Sequence, residues 1–125
     1  MSRPRIFIVD DESVIAFTLA AILAKHGMQA SAFTSAEAAL EAAALDGQDG
    51  PDLLISDVMM PGMNGIELGV QFRSKYPGCK VMLFSGQAHT RSLLDEARAE
   101  GHDFTLLAKP IHPKDLLAAI EALEG

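Results

Sequence analysis

Five short, mostly apolar runs alternate along this chain with longer stretches whose apolar residues recur at helical spacing. Arg5 to Val9 is an unbroken apolar run after Pro4, closed by Asp10-Asp11-Glu12, and predicts a buried strand. Ser13 to His26 predicts a helix, with Lys25 and His26 in its last turn and Gly27 as its stop. Its apolar face is wide, which suggests a helix packed on a sheet, with a partner interface as the lesser reading. Met28 to Phe33 alternates weakly and predicts an edge strand. Thr34-Ser35-Ala36-Glu37 has capping-box spacing, with Thr34 and Glu37 as the reciprocal pair, for a helix to about Leu45.

After the loop Asp46-Gly47-Gln48-Asp49-Gly50-Pro51, a third strand, Asp52 to Ser56, delivers Asp57 to the turn Met59-Met60-Pro61-Gly62-Met63-Asn64-Gly65. Asn64 and Glu67 open a helix that runs to about Tyr76. Cys79 to Phe84 is a fourth strand, ending in Ser85-Gly86, and a helix follows from about Ala88 to Glu100. Phe104 to Ala108 is the fifth strand, closed by Lys109-Pro110. Pro113 opens a last helix, with Leu116, Leu117, Ile120 and Leu123 on one face.

Alternation of strand and helix predicts an α/β fold, a parallel sheet with right-handed crossovers and helices on both faces. No repeat, low-complexity tract or linker interrupts it, so residues 1–125 are expected to form a single domain with no output domain.

Composition narrows the setting. The formal charge of −7 argues against direct binding of the nucleic-acid phosphate backbone. Cys79 is the only cysteine, so no internal disulfide can form and a reducing compartment is expected. The apolar stretch from Val14 to Ala24, interrupted by Thr18, is well short of the roughly 20 residues of a membrane span. A cytoplasmic protein with no membrane contact is expected. The histidines His26, His89, His102 and His112 lie at or near helix ends without metal-ligand spacing and read as caps or surface positions.

The chemistry lies at strand ends. Asp10-Asp11 follow the first strand, Asp57 the third, Ser85 the fourth and Lys109 the fifth. In a doubly wound, flavodoxin-like sheet of order 2-1-3-4-5, an order known for such folds and not set by the periodicity, all of these face one shallow cleft. Three adjacent carboxylates repel one another, and a hard divalent cation with oxygen ligands relieves that repulsion. Lys109 adds a point charge for an anionic oxygen and Ser85 a hydroxyl donor. Together they form an electrostatic cradle for phosphoryl transfer to Asp57. Pro61 and the glycines let the loop turn sharply and aim the carbonyl of Met59 at the cation. Each part alone has an ordinary explanation: a solvated turn, a common Ser-Gly bend, a surface lysine. Their joint occurrence, one per strand end, does not.

Asp10-Asp11-Glu12, Asp57 through Gly65, Ser85-Gly86 and Lys109-Pro110 together resemble the receiver domain of bacterial two-component response regulators, over essentially the whole chain. The resemblance implies a flavodoxin-like (βα)5 fold and a phosphoacceptor, Asp57, charged by a phosphohistidine on a sensor histidine kinase or a histidine phosphotransfer protein. It implies Mg²⁺ bound by Asp11, Asp57 and the Met59 carbonyl, with Asp10 acting through water, and phosphoryl oxygens held by Ser85 and Lys109. It implies a cis Lys109-Pro110 peptide, a signalling domain in place of a dedicated enzyme, and a monomer or weak dimer. An unknown downstream protein would read the fourth helix, fifth strand and fifth helix. The family's aromatic residue three before the lysine is Leu106 here. Either Phe104 replaces it through a bulge or the switch works without a ring. Met59 and Gln87 stand where the family sets phosphoryl lifetime; apolar Met59 offers no hydrogen bond to an attacking water, which favours a long-lived state.

Other classes fit less well. An aspartyl phosphohydrolase of the haloacid-dehalogenase kind needs Asp-x-Asp, where this chain has Asp57-Val58-Met59. A flavodoxin needs a hydroxyl-rich phosphate loop where Asp10-Asp11-Glu12 stand, and one Tyr with no Trp leaves little to stack a flavin. A phosphate sink with rapid dephosphorylation is the remaining alternative, at odds with Met59.

Overall fold

A computed structural model describes residues 4–45, 50–86, 90–102, 104–109 and 111–124. Its elements alternate strictly: β1 (Arg5–Val9), α1 (Ser13–Lys25), β2 (Gln29–Phe33), α2 (Ala36–Leu45), β3 (Leu53–Asp57), α3 (Gly65–Lys75), β4 (Lys80–Ser85), α4 (Thr90–Ala99), β5 (Thr105–Ala108) and α5 (Pro113–Glu124). The five strands form one sheet in the order β2-β1-β3-β4-β5, and every pairing is parallel. This is the flavodoxin-like order, with β2 at an edge as expected.

Period-two alternation in the central strands builds two cores. Phe7, Val9, Leu54, Val81 and Leu83 face α2, α3 and α4. Ile6, Ile8, Ile55, Met82 and Phe84 face α1 and α5, meeting Leu19, Leu23, Leu116 and Ile120. Burial of each such side chain contributes about 1.5–3 kcal/mol before conformational entropy is subtracted. All five residues of β3 are buried, because it lies in the middle of the sheet and is covered on both faces.

Helix ends follow local rules, with one correction. Asn64 and Glu67 form a full capping box, each side chain accepting from the other's backbone N–H at 2.8 and 3.0 Å. At α2 the cap is Ser35 and not Thr34. The Ser35 hydroxyl accepts from the Ala38 amide at 3.1 Å, since the helix starts one residue later than the Thr34–Glu37 spacing implies. His26 closes α1, its Nδ1 donating to the Ile22 carbonyl at 2.9 Å. Cys79 is buried, and burial pushes its thiol up to about 12, so it is an inert filler. The loop at 46–49, Gln87, Ala88, His89 and Pro110, with the isomer of its peptide bond, lie outside the described residues. Among the described residues, no helix is long and apolar enough to cross a membrane.

Candidate functional site

Parallel strands in the order 1-3-4-5 put four carboxyl ends on one edge of the sheet. Asp10 is the first residue beyond β1, its amide held by the Phe33 carbonyl at 3.1 Å. Asp57 is the last residue of β3 and pairs with Phe84, one residue before Ser85. Lys109 follows β5, its amide donating to the Ser85 carbonyl at 3.1 Å. Residues separated by up to 99 positions therefore meet in one site.

The lysine is its centre. Lys109 Nζ lies 3.0 Å from Asp57 Oδ2 and 3.2 Å from Asp10 Oδ2, and 5.1 Å from the centroid of the Phe84 ring beneath it. Asp57 Oδ1 accepts weakly from the Met59 amide at 3.4 Å, and Asp10 Oδ1 accepts from the Glu12 amide at 2.9 Å. Asp10 is fully buried and Asp57 is 6% exposed, whereas Asp11 is exposed. Ser85 is buried at the same edge and Met59 is 38% exposed.

Burial raises the Asp57 carboxyl above its ordinary value, and the charge on Asp10 adds to this; the hydrogen bond and charge of Lys109 oppose both without cancelling them. Burial alone would lower the Lys109 ammonium, but its bonds to Asp57 and Asp10 outweigh that and hold it above the usual lysine value.

The residues fit a hard cation. Asp10, Asp11 and Asp57 each bring an oxygen within 4.8 Å of the others. Among the described residues the site sets one ammonium, Lys109, against these three carboxylates, leaving a local charge of −2 (−3 + 1). An oxygen-only donor set with that deficit suits a divalent ion such as Mg²⁺ or Ca²⁺. Asp10 holds the Glu12 amide firmly with Oδ1 and Lys109 with Oδ2, whereas Asp57 Oδ1 is tied only weakly to the Met59 amide at 3.4 Å, which leaves Asp11 and Asp57 Oδ1 as the readier direct ligands.

Three features escaped the sequence reading. First, Gly65 at the start of α3 packs on the end of β3. Its amide donates to the Val58 carbonyl at 2.9 Å, and a Cβ there would overlap the Asp57 carbonyl oxygen. Second, the Ser56 hydroxyl donates to that same Asp57 carbonyl at 3.0 Å, clamping the backbone that carries the Asp57 carboxylate. A serine within an apolar strand was the available signal for this. Third, α1 is not wholly consumed by the sheet, which the sequence ranks as the lesser reading of its wide apolar face without singling out residues. Val14 and Phe17 remain 78% and 60% exposed beside a cleft of about 490 Å³ lined by Val14, Ile15, Thr18, Leu19, Lys109 and Ile111.

The question of the aromatic ring resolves against Phe104. Strand β5 pairs regularly from Thr105 to Ala108 without a bulge. The Phe104 ring is buried at the opposite end of that strand, beneath the Arg73 guanidinium at 4.3 Å and stacked with His102 at 6.2 Å. Leu106 is 43% exposed and carries no ring.

Residues 6–121 match the family model described as the response regulator receiver domain. The DNA-binding transcriptional regulator NtrC of Escherichia coli (strain K12) is 30% identical over 121 residues, 97% of this chain and 25% of that protein. The chain thus spans about a quarter of that relative's length. The signal receiver domain of an HD domain-containing protein from Pseudomonas fluorescens Pf-5 superposes with a TM-score of 0.83 at 31% identity, covering 98% of this chain and 96% of that one. The response regulator protein TrrA of Thermotoga maritima, in complex with Mg²⁺-BeF, superposes with a TM-score of 0.78 at 29% identity, covering 96% and 98%.

Proposed function

We propose a function for a chain that belongs to the response regulator receiver domain family: Asp57 accepts a phosphoryl group in a two-component phosphorelay. The observation that carries this reading is the position of Lys109, 3.0 Å from Asp57 and bonded also to Asp10. A cation held against the buried carboxylate is what an incoming phosphoryl dianion needs.

Asp57 is the nucleophile. An oxygen of its carboxylate forms the bond to phosphorus as the phosphorus–nitrogen bond of a donor phosphohistidine breaks, and the imidazole leaves with the electron pair. Lys109 holds Asp57 ionised and then pairs with a phosphoryl oxygen. The Ser85 hydroxyl, at the neighbouring strand end, donates to another. Asp11, Asp57 and the Met59 carbonyl would hold Mg²⁺, with Asp10 acting in its outer shell. When bound, Mg²⁺ supplies positive charge against the phosphoryl oxygens and the clustered carboxylates. The Mg²⁺-BeF complex of TrrA supports that choice of ion. The chain itself orients and neutralises; it acts as a signalling acceptor and not as a dedicated enzyme, in the cytoplasm.

The donor would be a sensor histidine kinase or a histidine phosphotransfer protein. Exposed Val14 and Phe17, next to the site, offer it an apolar landing surface. Output would pass through α4, β5 and α5, where Leu106 is exposed and replaces the switching ring. Exposed, apolar Met59 supports a slow loss of the phosphoryl group; a half-life of seconds contradicts that point. The test is Mg²⁺-dependent phosphate incorporation from a small-molecule phosphodonor into the wild type and Asp57→Asn. Label confined to the wild type supports the reading; equal label in both rejects it.

A further inference from the structure

We propose that the groove between α3 and α4 is a docking site for a basic amphipathic helix of a partner protein. It lies on the opposite face of the sheet from the α1 stripe, and it does not depend on Asp57 accepting phosphate. The floor is apolar: Ile66 and Ala97 are buried, while Val70 and Leu93 are half-buried and pack on the core only along one side. The rim is acidic, with Glu67 on α3, Glu96 on α4 and Glu100 in the turn just past its end. Among the described residues no lysine or arginine lines it. Its volume of about 490 Å³ is in the range of formed binding sites, roughly 300–1,000 Å³.

Two helical stripes create this shape. Asn64, the cap of α3, lies three before Glu67 and six before Val70; Leu93, Glu96 and Ala97 on α4 and Glu100 just past its end are i, i+3, i+4 and i+7. Residues 93 to 100 span about 10 Å at the ~1.5 Å rise of a helix. That length matches two turns of a docked helix, whose anchors repeat at the same i, i+3/i+4, i+7 positions. Charge selects the occupant. A second copy of this chain, with a formal charge of −7, brings net repulsion to three carboxylates. A helix with leucines on one side and lysine or arginine flanking them places apolar anchors on the floor and cations on the rim.

The test titrates a synthetic leucine/lysine amphipathic peptide of about five turns into the isotope-labelled full chain, unphosphorylated, and follows backbone amide shifts. Shifts concentrated at residues 64–70 and 93–100, with affinity at least about tenfold weaker in the double variant Glu96→Lys, Glu100→Lys, support the proposal. The milder Glu96→Gln, Glu100→Gln pair gives an intermediate loss and guards against misfolding of the first. Shifts spread over acidic residues elsewhere, shifts centred on α1, or affinity unchanged in both variants overturn it. Concentration-dependent self-association through this groove also overturns it. Phosphate incorporation from a small-molecule donor stays at the wild-type level in both variants, which separates this result from any failure at Asp57.

Discussion

Lys109 Nζ and Asp57 Oδ2 are 3.0 Å apart, and the same ammonium also reaches Asp10 at 3.2 Å. One cation thus restrains two buried carboxylates. Replacing it by a neutral chain of similar length, Lys109→Met, leaves both without that cation. Phosphate incorporation into Asp57 is expected to fall by at least about tenfold, on the order of the 1.4 kcal/mol per decade that one lost charge contact readily exceeds. Single-turnover labelling with a small-molecule donor measures it; retention of wild-type rates would remove Lys109 from the chemistry.

The direction of the Asp57 shift sets a pH signature. Its carboxyl is raised chiefly by burial, so ionising it costs more in the folded chain than in the unfolded one. Its contribution to stability is therefore complete below the unfolded carboxylate value and is lost as pH rises through the folded one. Asp57→Asn, which cannot ionise, should melt a few degrees above the wild type at pH 7 without divalent cation. That gain should shrink towards pH 4 and also when Mg²⁺ is added. Thermal melts across pH settle it, and a variant less stable than the wild type at pH 7 contradicts the assignment.

Gly65 has no room for a side chain. Its would-be Cβ meets the Asp57 backbone and the Ser56 hydroxyl, and neither is a flexible chain end. Gly65→Ala should cost about 1–3 kcal/mol in urea unfolding, because α3 must back away from β3. Since that movement shifts the Asp57 backbone, labelling should slow in the same variant.

Phe17 is exposed and makes no core contact of consequence, so Phe17→Glu should change stability by less than about 0.5 kcal/mol. A charge in the α1 stripe should nonetheless slow phosphotransfer from a phosphohistidine protein several-fold, with the small-molecule donor unaffected. Equal slowing with both donors would place the effect in the site instead of the landing surface.

Phe104 is expected to be structural. Its ring is buried against Gly69 and Val81's neighbourhood, under Arg73. Phe104→Ala should cost about 3 kcal/mol by leaving a cavity, while the phosphoryl half-life of the folded protein stays unchanged. An altered half-life would restore a switching role to this ring.

The strand and helix order was legible because it rests on local periodicity. Apolar runs bounded by Pro, Gly or acids mark strands, and Asn64 with Glu67 marks a helix start, whatever the rest of the chain does. The polar groups at the strand ends were legible for a related reason. Asp10, Asp11, Asp57, Ser85 and Lys109 each interrupt an apolar run at its carboxyl end, and a parallel sheet carries such ends to one edge.

What the sequence determined by itself was therefore the identity of the elements and of the groups at their ends. The tertiary structure decided which of those groups touch. The sequence reading gave Asp10 to a cation and Lys109 to a phosphoryl group; folded, they bond to each other across 99 positions. Periodicity shows that α1 has a wide apolar face but not how much of it the sheet covers, so a partner surface ranked second to sheet packing there, and the exposure of Val14 and Phe17 in particular was not specified. Whether Phe104 could reach the site depended on the register of β5 against β4, which no local pattern specifies. Local rules act over one turn or one strand. Contact between strand ends depends on how every intervening layer packs.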